Sequence, residues 1–307
     1  MTRPDRLNDG TNAAPYLRKD MNIGTMLALP TDSGAPALDF ADQGPVMDFL
    51  KAHDYLGIQS FTPGVALAAG FSATGMASFK TLDDPIEQTI ADHAAKGYDC
   101  TTVHAGTGFE TDDEMAQYAD LLLNAASKHN YAVYVETHRA TITQDIKRTV
   151  DLVEKFPELR FNADLSHWYT GHEMNTTNFD RAFAFMDPVL ERVRFIHGRI
   201  GNSGSLQVDF RPDDQVEFID HFEQMWTRCF EGFLREAKPG DYLPFAPELL
   251  PASFSFLNPP LNIHYARMIR QSDGTFHEEG NRWQQAEMYY DLAMQWFNDT
   301  AVANATN

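Results

Sequence analysis

The sequence predicts a single closed (β/α)8 TIM barrel, and three observations lead there. Short apolar runs, about eight in number, alternate with amphipathic stretches, which is the rhythm of a parallel sheet closed on itself. The chain has 307 residues, and a barrel of this kind commonly takes about 250 residues as one domain. No repeat or low-complexity linker marks a second domain. Finally, four runs end on a side chain able to grip a dication: Tyr131–Val135 on Glu136, Leu159–Ala163 on Asp164, Val193–Ile196 on His197 and Tyr242–Pro247 on Glu248. The carboxyl ends of barrel strands open on one face, so side chains distant in sequence would meet there.

Taken in order, residues 1–20 are polar and read as a flexible N-terminal arm. That leaves 21–307 for the barrel with a C-terminal loop and helix extension. Met21–Pro30 reads as the first strand and its loop, Pro45–His53 as a short helix, and Tyr55–Ser60 as a strand. Gly64–Lys80, rich in Gly, Ala and Ser, carries a third strand. In Asp84–Lys96, Ile86, Ile90 and Ala94 share a helical face. Asp99–His104 is the next strand and ends in Gly106-Thr107-Gly108. Thr111–His129 opens with an N-cap Thr and acidic residues, then runs as an apolar stripe.

Beyond Glu136, Thr143–Lys155 reads as a helix with an N-cap Thr, closed by Pro157. Phe179–Phe185 and Pro188–Glu191 are helical fragments, Gly201–Pro212 is a long loop, and Asp213–Lys238 is a helix. Leu250–Gly280 is irregular, and Asn281–Asn298 forms a terminal helix.

Composition excludes several function classes. A hydrophobic share of 43% supplies a sizeable core, yet no run approaches the roughly 20 apolar residues of a membrane span. The polar N-terminus lacks the apolar centre of a secretory signal. A cytoplasmic protein without a membrane partner is expected, and a homo-oligomer is compatible with the sequence. Cys100 and Cys229 alone make neither a disulfide framework nor a cysteine-rich zinc module. With 24 Lys and Arg against 44 Asp and Glu, the formal charge is −20. Such a surface repels phosphate backbones, so nucleic acid is not an expected partner.

Three carboxylates and one imidazole form a hard, oxygen-rich set suited to one divalent ion, Mn²⁺ first, with Mg²⁺, Co²⁺ or Zn²⁺ also open. A dication chelated by a carbonyl and its neighbouring hydroxyl stabilises the charge that develops when the adjacent carbon loses a proton. Glu136 and Glu248, on well-separated strands, can remove and return that proton, while Asp164 and His197 mainly position the ion.

Four more residues stand near these strand ends. His104 lines the pocket or serves a second metal. His138, two positions past Glu136, orients that glutamate or touches the ligand. His167 hydrogen-bonds Asp164 or faces the substrate. Arg199, two positions past His197, binds a substrate carboxylate, phosphate or hydroxyl, or neutralises the acidic mouth. Trp168, Phe254 and Phe256 are candidate apolar walls, and Gln207 a candidate polar contact. The glycine-rich turns at 106–108 and 201–204 match neither a P-loop nor a dinucleotide fingerprint.

The ordered set VETH at Glu136, ADLSH from Asp164 to His167, FIHGR at His197 and PEL at Glu248 resembles the xylose isomerase-like TIM barrel superfamily. That group includes the sugar phosphate isomerases and epimerases. The resemblance covers roughly residues 20 to 250. It implies that Glu136, Asp164, His197 and Glu248 hold one divalent metal and that His167 faces a small carbohydrate substrate. Ala140-Thr141-Ile142 and Gly201-Asn202-Ser203 stand where the ketose 3-epimerases usually place an acid and an arginine, so a different hydroxyl-recognition pattern is expected.

The expected function is therefore a metal-dependent isomerase or epimerase of a sugar or keto-polyol. A dehydratase acting on a keto-sugar or inosose starts from the same proton removal. A phosphodiesterase like the apurinic endonucleases, or a non-catalytic sugar-binding barrel, are the remaining readings.

Overall fold

Eight parallel strands follow one another around a closed barrel in this computed structural model, which describes residues 5–306. A short strand β1 (Leu7–Asn8) precedes them. The barrel strands are β2 (Tyr16–Asn22), β3 (Gly57–Gln59), β4 (Ser72–Phe79), β5 (Cys100–Ala105), β6 (Ala132–Glu136), β7 (Phe161–Ala163), β8 (Val193–Gly198) and β9 (Asp241–Pro247). Each pairs in parallel with the next, and β9 closes the ring by pairing with both β8 and β2. The helices between them are α1 (Gly44–Ala52), α2 (Pro63–Ala68), α3 (Ile86–Ala95), α4 (Asp112–His129), α5 (Ile146–Lys155), α6 (Ser166–Gly171), α7 (Phe179–Leu190) and α8 (Glu217–Leu234). A final helix, α9 (Arg282–Thr306), follows two small hairpins in the 250–280 region.

Side chains alternate across a strand, so positions two apart share a face. Cys100, Ala132, Tyr134, Phe195, Tyr242 and Ala246 form one cluster with Leu7. The next residues on the same faces are the polar strand ends: Tyr134 leads to Glu136, Phe195 to His197, Ala246 to Glu248. Opposite faces carry Val103, Val135, Ile196, Leu243 and Phe245 into a larger core shared with Leu122, Trp226 and Phe230 of the helices. Burying each such side chain contributes roughly 1.5–3 kcal/mol. Helix α4 is fixed at its start by a capping box between Thr111 and Glu114 and stops at Asn130 in a left-handed conformation.

The N-terminal segment departs from the expected loose arm. Residues 1–4 lie outside the described residues, but Arg6 donates to the Phe233 carbonyl, Leu7 is buried, and β1 pairs antiparallel with β9. The first barrel strand begins at Tyr16 rather than Met21. Its sequence, YLRKDMN, hides this because Arg18 and Asp20 face each other inside the barrel at 2.6 Å, and Arg18 also meets Asp99 at 2.6 Å. Gly57 is required opposite them, since a Cβ there would lie 2.4 Å from Asp20.

Other boundaries also shift. Asp145, not Thr143, caps α5 by accepting from Arg148 N. The two fragments expected around residues 179–191 form one helix that runs through Pro188. The helix expected over 213–238 is shorter, and the terminal helix is longer. Among the described residues no helix is long and apolar enough to cross a membrane.

Candidate metal centre

Glu136 ends β6, Asp164 and Glu248 directly follow β7 and β9, and His197 lies near the end of β8. One ligand atom from each lies within 4.8 Å of the others. Donors about 2.2 Å from a shared ion can be at most about 4.4 Å apart, so the set fits a single coordination sphere after slight contraction. Glu136, Asp164 and His197 are buried, and Glu248 is half-buried towards the mouth.

His197 is oriented for ligation. Its Nε2 lies 2.6 Å from Gln59 Oε1, which also accepts from Asn22 Nδ2 at 2.7 Å. A proton on Nε2 satisfies that contact and leaves Nδ1 facing the carboxylates, 3.5 Å from Glu136 Oε1 and 3.4 Å from Glu248 Oε2. Burial disfavours its charged form, but Glu248 and Glu136 outweigh that and raise its pKa to about 9. A dication would therefore displace a proton from this ring.

Glu136 is anchored through Oε2, which accepts from Asn162 Nδ2 at 3.1 Å. Its buried Oε1 makes no satisfactory hydrogen bond, although His104 Nε2 approaches to 3.0 Å. A buried carboxylate oxygen that faces imidazole nitrogens and other ligand atoms is placed to take a dication. Burial raises the Glu136 pKa, but His104 and His197 more than offset it, holding the carboxyl well below the usual range. Burial also raises Glu248, and with Glu136 and Asp164 nearby it stays above the usual range despite His197 and Arg199. The two glutamates are thus driven apart in acidity.

Arg199 is fully buried and committed to the acids. Its Nη2 contacts Asp164 Oδ2 directly, lies 2.9 Å from Glu248 Oε2, and donates to His167 Nε2 at 3.2 Å; Nε reaches Ser166 Oγ at 3.1 Å. Only Nη1 lacks a partner.

His167 accepts from Arg199 at Nε2, which puts its ring proton on Nδ1, a buried donor without a partner. Burial and then Arg199 hold His167 well below the ordinary imidazole pKa. His138 is likewise lowered, first by burial and then by His167 and His104. Burial opposes charge on His104 as well, but the neighbouring Glu136 raises it. The three rings form a row, with centroids 4.3 Å apart for His104 and His138 and 3.9 Å for His138 and His167. His104, Glu136 and His138 also offer three ligand atoms within 4.8 Å, a smaller second cluster.

Other candidates go elsewhere. Trp168 is a core strut whose Nε1 donates to the Thr143 carbonyl at 2.7 Å. Gln207 ties two loops together through Leu250, at 3.2 and 2.9 Å. Phe256 is exposed and packs on Phe40 at 4.9 Å. Sequence reasoning passed over Gln59, Asn162 and Tyr265. Asn162 was signalled by its place two residues before Asp164 on the same strand face. Tyr265, in the irregular region, had no such signal.

No family model matches the chain, and no curated protein is similar to it by sequence. Solved structures do share its fold. A xylose isomerase-like TIM barrel protein of Mycobacterium smegmatis in complex with magnesium is 13% identical, with a TM-score of 0.51 over 94% of this chain and 98% of that one. A sugar phosphate isomerase/epimerase of Parabacteroides distasonis is 11% identical, with a TM-score of 0.50 over 97% and 99%. The chain has the (β/α)8 TIM-barrel fold that these structures share, with a cluster of acids and a histidine at the strand ends where a metal ion can bind.

Proposed function

We propose that the protein is a divalent-metal-dependent isomerase or epimerase that moves a proton next to the carbonyl of a small sugar or keto-polyol. The observation that supports this most directly is the meeting of Glu136, Asp164, His197 and Glu248 around one point at the strand ends. Two carboxyls from separate strands that reach one substrate can divide base and acid roles between them.

Glu136, Asp164, His197 and Glu248 would hold the ion, Mn²⁺ by preference, which would stabilise negative charge on a substrate oxygen. Glu136, ionised, takes the proton. Glu248, on a separate strand, returns one. The lone Nδ1 proton of His167 is available to a substrate oxygen. Asn162 and Gln59 keep Glu136 and His197 in place.

Loss of a β-hydroxyl after the same proton removal would make the protein a dehydratase. A phosphodiesterase would need more metal and a basic groove, against a charge of −20.

The test is to incubate the Mn²⁺-loaded protein in deuterium oxide with a panel of ketoses and inososes and follow it by NMR. Solvent deuterium should enter the ligand at the carbon beside the carbonyl, with one metal ion per chain. Tight ligand binding with no deuterium incorporation would leave only a sugar-binding barrel.

A further inference from the structure

Arg139 stands at the mouth of the centre with no carboxylate to answer its charge. It follows His138 in the loop between β6 and α5, is exposed, and has no acidic partner at ion-pair distance among the described residues. The ring of Tyr265, half-buried in the 250–280 region, lies 5.2 Å from its guanidinium carbon. The same ring lies 4.6 Å from the guanidinium carbon of Arg199, which touches Asp164 and Glu248. One aromatic side chain therefore meets both the exposed arginine and the arginine that touches the ligand set.

The turn carrying Arg139 is tightly built. Thr141 Oγ1 donates to the His138 carbonyl at 2.7 Å, and His138 N donates to Thr143 Oγ1 at 3.1 Å. Ala140 is held at φ 55, in the left-handed region. Such backbone persists in a residue with a Cβ only when its surroundings enforce it.

Arg199 is already taken up by Asp164 and Glu248. Arg139 has no such partner among the described residues, which leaves a cation at the mouth of the centre. We infer that the ligand bears one anionic group, a carboxylate or a phosphate, at the end remote from its reacting carbonyl. Arg139 receives that group, with Tyr265 beside it. This rests on the proposed function only in placing the carbonyl at Glu136 and Glu248.

Isothermal titration of the Mn²⁺-loaded full chain with D-fructose, 5-keto-D-gluconate and D-fructose 6-phosphate tests it. At least one charged ligand should bind roughly tenfold or more tightly than fructose. That advantage should vanish in Arg139→Gln and partly return in Arg139→Lys, with fructose affinity unchanged. The two charged ligands separate a carboxylate preference from a phosphate preference. Equal affinities for all three ligands, no binding of either charged one, or an advantage that survives in Arg139→Gln would each overturn the inference. An Arg139-dependent preference without solvent deuterium exchange would remove the isomerase reading and leave this one standing.

Discussion

Arg199 places one guanidinium nitrogen between Asp164 and Glu248, in contact with Asp164 Oδ2 and 2.9 Å from Glu248 Oε2. It thereby holds two of the four candidate metal ligands together from the side. Burial disfavours its charge, but Asp164 and Glu248 keep the guanidinium more firmly protonated than an ordinary arginine. Without it, the centre would gather three carboxylates with too little compensating charge.

Arg199→Met should therefore lower stability of the metal-free protein by roughly 3–5 kcal/mol, the usual cost of leaving buried charge unpaired. Mn²⁺ would then be the main remaining counter-charge, so it should raise the melting temperature more in the variant than in the parent. Calorimetry in EDTA and in excess Mn²⁺ measures both. An equal metal-induced shift in the two proteins would mean that Arg199 and the metal do not share the same carboxylates.

Gln59 acts on the metal through His197. By accepting the Nε2 proton at 2.6 Å it keeps Nδ1 turned towards the acids, and its own amide is fixed by Thr102 at 2.8 Å. Gln59→Leu should weaken Mn²⁺ binding about 10- to 100-fold, the common cost of losing a partner behind a metal-binding histidine. Competition with a chelator of known affinity reads this directly. Undiminished affinity would show that the ring is held by something else, Asn162 being the nearest candidate at 3.2 Å from Nε2.

Glu136→Gln should reduce turnover by about 10²–10⁴-fold, the usual contribution of a general base, while sparing the fold. The amide oxygen of glutamine can still accept from Asn162. Circular dichroism and the deuterium-exchange assay check the two halves separately. Retained full exchange would remove Glu136 from the proton transfer.

The barrel and the clustering of four strand-end side chains were legible in the sequence for a shared reason. Parallel strands buried on both faces are short apolar runs, and a charged residue closing such a run stands out. The same logic failed for β2, where Arg18 and Asp20 neutralise each other inside the barrel and make a buried strand look like a polar arm. The role of Gln59 was hidden because it depends on contact with His197, 138 positions away in the chain. Arg139 and Tyr265 meet only through a long surface excursion with no hydrophobic period. Thr143 was visible as a helix cap but serves instead as a prop, donating to the Glu136 carbonyl and accepting from His138 N.

His221 gives the fold a pH response that can be separated from the metal centre. It lies on α8, 7% exposed, stacked on Phe179 at 3.8 Å, with its Nδ1 2.7 Å from the Tyr169 hydroxyl. Burial lowers its pKa below that of the unfolded chain. Between the folded and unfolded values, the unfolded state binds a proton that the folded state refuses. The stabilising contribution is therefore full above the unfolded pKa, about 6.5, and is lost as pH falls through the folded one. Other buried histidines add to or oppose this trend, so the comparison must be made against a variant. In His221→Gln the side-chain oxygen can still accept from Tyr169, but the group no longer titrates. Urea unfolding at roughly pH 7.5 and 5.5 should show the variant losing less stability than the parent on acidification. An identical loss in both proteins would mean that His221 takes up its proton in the folded state as readily as in the unfolded chain.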